Sequence, residues 1–284
     1  MSKKILVVYN TCGISGKDNS SSYIESLKSI LRQDFCDFDV VVSSCLNTQT
    51  TRDAIRDHFG DQIKYNFINE KHPVNVTFNH SIRKVVEHCG EYEGYMYVDS
   101  GSNFGDSTDL LSHIYALLKT NRYGMITPQP ENDTEYFNGL GVGRYNNDDE
   151  YARKILFKDG DYTIPIGRGM GTHTNVVSND LRKFYGNAYP DIFAGHCTES
   201  TFSFMNAAIK KQWLLLKDYI LSHNISMDGQ SSGFSTHEWI RTTRRPTYDH
   251  PYRIPSILQR VLKPEASAAG FGYEECRDIL RHDP

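Results

Sequence analysis

The sequence predicts an α/β fold in which a largely parallel sheet is covered by helices on both faces. Two observations carry this. Through the first half of the chain, short β-branched apolar runs alternate with amphipathic segments, the pattern of strand–helix–strand units. The helical segments between them are about a dozen residues long, which implies a sheet covered on both faces. With 284 residues there is enough chain for one large α/β domain or two small ones.

The first strand is Ile5–Tyr9, broken by Thr11-Cys12-Gly13. From Ser21 to Gln33, the apolar positions Tyr23, Ile24, Leu27, Ile30 and Leu31 form a helical stripe, preceded by serines able to cap it. Val40–Val42 is a second strand ending in Ser43-Ser44, Arg52–Phe59 a helix, and Lys64–Ile68 a third strand. Val76–Cys89 reads as a helix and Tyr95–Val98 as the next strand. Ser107–Lys119 is helical, with apolar residues at 110, 111, 114, 117 and 118 and with Ser107 or Thr108 as cap. Tyr123–Thr127 is a further strand, stopped by Pro128. In such sheets ligands bind beyond the carboxyl ends of the strands. Asp99, in GYMYVDSGSNFGD over 94–106, sits at one of those ends.

The second half is less regular. Residues 129–172 are rich in Asn, Asp and Gly, including GLGVGR at 139–144 and PIGRGMGTH at 165–173, and read as loops that shape an acceptor site. No helix pattern opens on Gly139, Gly141 and Gly143, so they read as hairpin glycines rather than a phosphate cradle. Thr198–Lys211 is a helix candidate and Trp213–Ile220 a strand or extended segment. These patterns divide the chain into a main domain over 1–225 and an extension over 226–284, the latter a loop with short helices that could pair two chains.

Composition narrows the function. A net charge of −4 gives no general attraction to nucleic acid or anionic membrane, although Arg241 to Arg253, RTTRRPTYDHPYR, is a basic exception. Cys12, Cys36, Cys45, Cys89, Cys197 and Cys276 lie far apart without a C-x-x-C pair, which favours reduced thiols over a metal cage. No stretch approaches the ~20 apolar residues of a spanning helix. A soluble, cytoplasmic protein is expected. The 18 Tyr and 14 Phe suit a core, and also a site for sugar rings or bases.

Read in order, several phrases resemble the nucleotide-sugar glycosyltransferases of the GT-A fold, of the inverting family-2 type. VVYN at 7–10 and LKSILRQDFCDFDVVV at 27–42 follow that family's opening. NEKHPVNVTFNHSIRKV at 69–85 is similar to its next phrase, with Asn79 at the matching Asn. YMYVDSG matches the strand that ends in the family's metal-binding Asp-x-Asp. HCTESTFSFMNAAIKKQW at 196–213 resembles the region of the catalytic base, with Glu199 nearest it, and His223 in YILSHN stands where the family often completes its metal shell. Three positions depart from the pattern. Ser43-Ser44-Cys45 stands in place of the acids that hold the nucleoside, Asp99-Ser100-Gly101 lacks a second acid, and Thr198-Glu199 replaces an acidic pair.

The resemblance implies transfer of a sugar from a nucleotide sugar to a hydroxyl of a glycan or glycoconjugate, with inversion in a single displacement. It implies Glu199 as the base and Asp99 with His223 as ligands of Mn²⁺ or Mg²⁺. The donor would be held by Tyr9, Asn10, Thr11, Ser44, Asn79, Arg83, Asp99, Ser100 and Gly101. Each residue also has a plainer reading. Asp99 could serve its loop, Asp106 could cap the next helix, Glu199 could be a first-turn acid favoured by the helix dipole, and His223 an ordinary loop histidine. His173, His196 and His237 are alternatives for the metal. The arginine stretch reads as a lid over the diphosphate, a site for an anionic acceptor, or a solvated surface. Two further functions stay open: a glycosyltransferase acting on a modified DNA base, and a catalytically silent nucleotide- or sugar-binding module.

Overall fold

The computed structural model describes residues 4–12, 19–45, 47–68, 74–130, 160–164, 174–186, 188, 205–207 and 209–223. Among these the strands are β1 (Ile5–Cys12), β2 (Phe38–Cys45), β3 (Lys64–Ile68), β4 (Gly94–Asp99), β5 (Ser102–Asn103), β6 (Tyr123–Pro130), β7 (Tyr162–Ile164), β8 (Thr174–Ser178) and β9 (Gln212–His223). The helices are α1 (Ser20–Leu31), α2 (Gln49–Phe59), α3 (Val74–Cys89), α4 (Leu110–Lys119) and α5 (Asn179–Tyr185).

The strands lie in the order β3-β2-β1-β4-β8-β6-β9-β5, with β7 on β9. The pairs β3–β2, β2–β1 and β1–β4 are parallel, as expected of strands joined through helices. β8 then runs antiparallel to both β4 and β6, so β6 and its parallel neighbour β9 point the same way as β4. The sheet is mixed and mostly parallel. Its common carboxyl edge is formed by the ends of β1, β2, β3, β4, β6 and β9.

Alternation along β1 divides the core. Leu6 and Val8 pack with Phe78, Ile82, Tyr95, Tyr97 and Leu181 beneath α3 and α5. Ile5, Val7 and Tyr9 pack on the other face with Tyr23, Leu27, Ile30, Ile55 and Ile114 beneath α1, α2 and α4. A two-sided apolar run in the sequence is thus a strand with a helix layer on each side.

Four local expectations change. α4 starts at Leu110 rather than at 107, because residues 107–109 are held in a turn by Gln33 and Asp34 of the α1 end. Asp106 is exposed and outside the helix, and Asp109 holds the N-cap position. β6 does not stop at Pro128 but continues to Pro130. β8 pairs with β6 only at Met125 and Ile126, so the missing proline N–H falls where no β8 ladder runs. The register with β9 slips there, leaving 217–219 as a bulge. The helix expected over 198–211 is described only at 205–207. A turn follows, in which Lys210 takes φ 57° and Lys211 N–H donates to Asn206 O at 2.9 Å.

A buried polar chain ties three strands of the far half of the sheet. Trp213 Nε1 donates to Thr127 Oγ1 at 2.8 Å, and Thr127 Oγ1 donates to Asn175 Oδ1 at 2.6 Å. Thr127→Val keeps the shape but removes both bonds. It should lower stability by about 1–3 kcal/mol, measured by urea unfolding.

Candidate active site

β4 brings Asp99 to the carboxyl edge of the sheet, half-buried, where the apolar run ends. Its Oδ1 accepts from Ser100 N–H at 3.0 Å, and Gly101 turns the chain with φ 86°, a conformation that favours glycine. The parallel register sets Asn10 of β1 beside Asp99. Asn10 is only 3% exposed, and its Oδ1 has no hydrogen-bond partner among the described residues. A buried amide oxygen left in this state costs free energy, so the position suits a ligand donor or a cation. Asn79 is buried on α3, which packs on β1 and β2; Arg83, one helical turn further along, is exposed.

Tyr9 occupies a different place from the one expected. Strand alternation turns it into the α1-side core, fully buried, with its ring edge-on to Tyr23. Its hydroxyl accepts from Gly101 N–H at 3.2 Å and shares a hydrogen bond with Ser26. Burial pushes the phenol well above its ordinary pKa, so it remains a neutral post beneath the Asp99 turn.

Thr11 and Ser44 also point inward. Both are fully buried, and Asn47 Nδ2 donates to Thr11 Oγ1 at 2.5 Å and to Ser44 Oγ at 2.9 Å. The two hydroxyls thus belong to one hydrogen-bonded cluster at the ends of β1 and β2. On the opposite face, Ser81 Oγ bonds Ser43 Oγ at 2.7 Å, and Asn66 Nδ2 donates to Ser81 at 2.7 Å. Lys84 reaches Asn66 Oδ1 at 3.4 Å. Hydroxyls and amides therefore fill the end of β2, where the resembling family carries acids. Asn47 was not anticipated; its only sequence signal is its place just before Thr48, whose Oγ1 caps α2 by accepting from Thr51 N–H at 3.2 Å.

The segment after Asp99 is strapped along α1. Ser26 Oγ donates to Ser102 O, Phe104 N–H donates to Ser29 Oγ at 3.1 Å, and an Arg32 N–H donates to Gly105 O at 3.0 Å. Gln33 donates to Ser107 O at 2.5 Å and accepts from Leu111 N–H at 3.1 Å. Within this strap Ser102 pairs with His223 in the β5–β9 register, which brings the backbone of His223 to the segment three residues past Asp99. Ser102 Oγ, 1% exposed, has no hydrogen-bond partner among the described residues. Glu199, His173, His196, His237 and the arginine stretch lie outside the described residues. Among the described residues no group of three His, Cys, Asp or Glu side chains is placed to hold a metal ion, and no helix is long and apolar enough to cross a membrane.

No family model and no curated protein matches this sequence. Solved structures do match in fold. One is the mannosyltransferase PcManGT from Pyrobaculum calidifontis in complex with GDP-Man and Mn²⁺. The match has a TM-score of 0.56 at 15% identity, over 99% of this chain and 79% of that one. Another is S. aureus TarS 1-349 in complex with UDP, with a TM-score of 0.57 at 16% identity, over 98% of this chain and 69% of that one. TarS 1-349 also matches in a second structure, with a TM-score of 0.53 at 15% identity over 98% and 90% of the two chains.

Tyr9→Phe removes the acceptor for Gly101 N–H while keeping the ring. It should cost about 1–3 kcal/mol and speed amide hydrogen exchange at Gly101 and Ser102 above that of the strands. The chain has the GT-A fold of the nucleotide-sugar glycosyltransferases.

Proposed function

We propose that this protein is a glycosyltransferase that moves a sugar from a nucleotide-sugar donor to a hydroxyl of a glycan or glycoconjugate, with inversion. The observation that carries the reading is the strand register that sets Asp99 beside Asn10, whose buried Oδ1 has no hydrogen-bond partner among the described residues, at the carboxyl edge of a GT-A sheet. Two hard oxygen donors side by side fit a divalent cation such as Mn²⁺ or Mg²⁺. Asp99 and Asn10 would hold it, with His223 from the end of β9 as a further ligand. When bound, such a cation offsets the negative charge of the leaving diphosphate.

The remaining work falls to the chain's own groups. Ser100 and Gly101 present backbone at the turn beside the donor, Asn79 faces it from α3, and Arg83 offers positive charge to the diphosphate. Tyr9, Thr11 and Ser44 act from behind, fixing the strand ends that bear these contacts. The acceptor oxygen forms a bond to the anomeric carbon as the bond from that carbon to the diphosphate oxygen breaks. The acceptor's proton passes to the Glu199 carboxylate.

Thermal unfolding with GDP, UDP and their sugar conjugates, with and without Mn²⁺, tests the donor half. A ligand at one hundred times its Kd stabilises by about 2.7 kcal/mol. That gain should require Mn²⁺ and vanish in Asp99→Ala; a shift that survives the substitution refutes the metal role. Glu199→Gln should leave donor binding intact and reduce transfer by about 10²–10⁴-fold, read by release of nucleoside diphosphate in the presence of acceptor.

A further inference from the structure

A groove of about 440 Å³ runs between α1 and the end of α2, on the outer flank of the sheet. It is lined by Glu25 and Lys28 of α1 and Arg32 just past its end, by His58 of α2 and Gln62 of the turn after it, and by Asn103 of β5. Positions 25, 28 and 32 recur at helical spacing and share one face of α1. Asn10, Asn79 and Asp99 are not among the residues that line it, so this groove is separate from the candidate active site.

Its charge is unbalanced. Lys28 and Glu25 pair at 2.8 Å, and that bond, with the lysine's charge, holds the Glu25 carboxyl below its usual range. Both side chains are well exposed, and an i,i+3 surface pair of this kind is weak, so Lys28 can turn to another anion at little cost. Arg32 spends one N–H on Gly105 O, and His58 rests edge-on against Phe59. No acid lies within ion-pair distance of Arg32 or His58 among the described residues. Three basic groups thus share the groove with one acid, and an anion that bonds two of them gains charge-assisted hydrogen bonds. The volume falls in the range of small-molecule clefts and far exceeds a bare phosphate ion. The remaining polar groups, Gln62 and Asn103, offer amides of the kind that bond hydroxyls.

We infer that this groove binds a phosphate monoester of sugar size, with its phosphate between Arg32, His58 and Lys28 and its hydroxyls against Gln62 and Asn103. The site is independent of the glycosyl-transfer reading and stands or falls by itself.

Titration of the full-length protein with a hexose phosphate, followed by ¹H–¹⁵N shifts, tests it. Saturable millimolar binding that moves the Asn103 side-chain amide and the Gly105 backbone amide is expected. Inorganic phosphate should bind more weakly at the same groups; equal affinity would mean that the groove reads free phosphate, and would overturn the sugar assignment. Arg32→Gln and His58→Gln should each weaken binding roughly tenfold, and Asp99→Ala should leave it unchanged. Because Arg32 also holds the strap, His58→Gln is the variant that isolates binding from folding. Absence of saturable shifts, shifts indifferent to His58→Gln, or loss of binding in Asp99→Ala would overturn the proposal.

Discussion

Beyond Asp99 the chain leaves the sheet interior, and its amides and carbonyls lose their strand partners. Backbone polar groups cannot be buried in that state without large cost. The side chains of α1 and of the two residues after it answer this group by group, from Ser26 to Gln33, and Tyr9 adds a bond from below. The position of the acid is therefore set by a helix and a strand that precede it by more than sixty residues. It does not rest on local loop propensity.

The same principle shapes the end of β2. A strand end at a ligand-binding edge can spend its polar groups on a ligand or on the protein. Here Thr11, Ser44 and Asn47 bond one another on one face, while Ser43, Ser81 and Asn66 do so on the other. Satisfied hydroxyls make a rigid, neutral rim. Asn10 differs, a buried amide whose oxygen has no hydrogen-bond partner among the described residues, and it stands next to the acid that β4 delivers to that edge.

β1, β2 and β4 were legible because the sheet buries both their faces, and two-sided burial writes an apolar run, whereas β3 is an edge strand of which only Asn66 is buried. Asp99 was legible for the converse reason: a carboxylate that interrupts such a run is conspicuous. β5 left no trace, since two residues carry no period and Ser102-Asn103 are paired by Ser222 and His223 from far along the chain. β8, TNVVS, is too short and too polar at its ends to stand out, although the sheet buries all of it. Pro128 misled because a proline stops a strand only where its N–H is required, and the neighbour list of β6 is not written in β6 itself. The inward turn of Thr11 and Ser44 depends on Asn47, whose role follows from the path between β2 and α2.

The reversal of β8 has one more effect. Strand β6 ends and strand β8 begins on the same rim, so Pro130 and Thr174 are two posts of one gateway standing close to Asp99. The chain between those posts returns to the sheet once, where β7 pairs with β9, and the entropy of closing such a connection grows only logarithmically with its length. A connection anchored in this way can change length at small cost while β4, β6 and β8 keep their register.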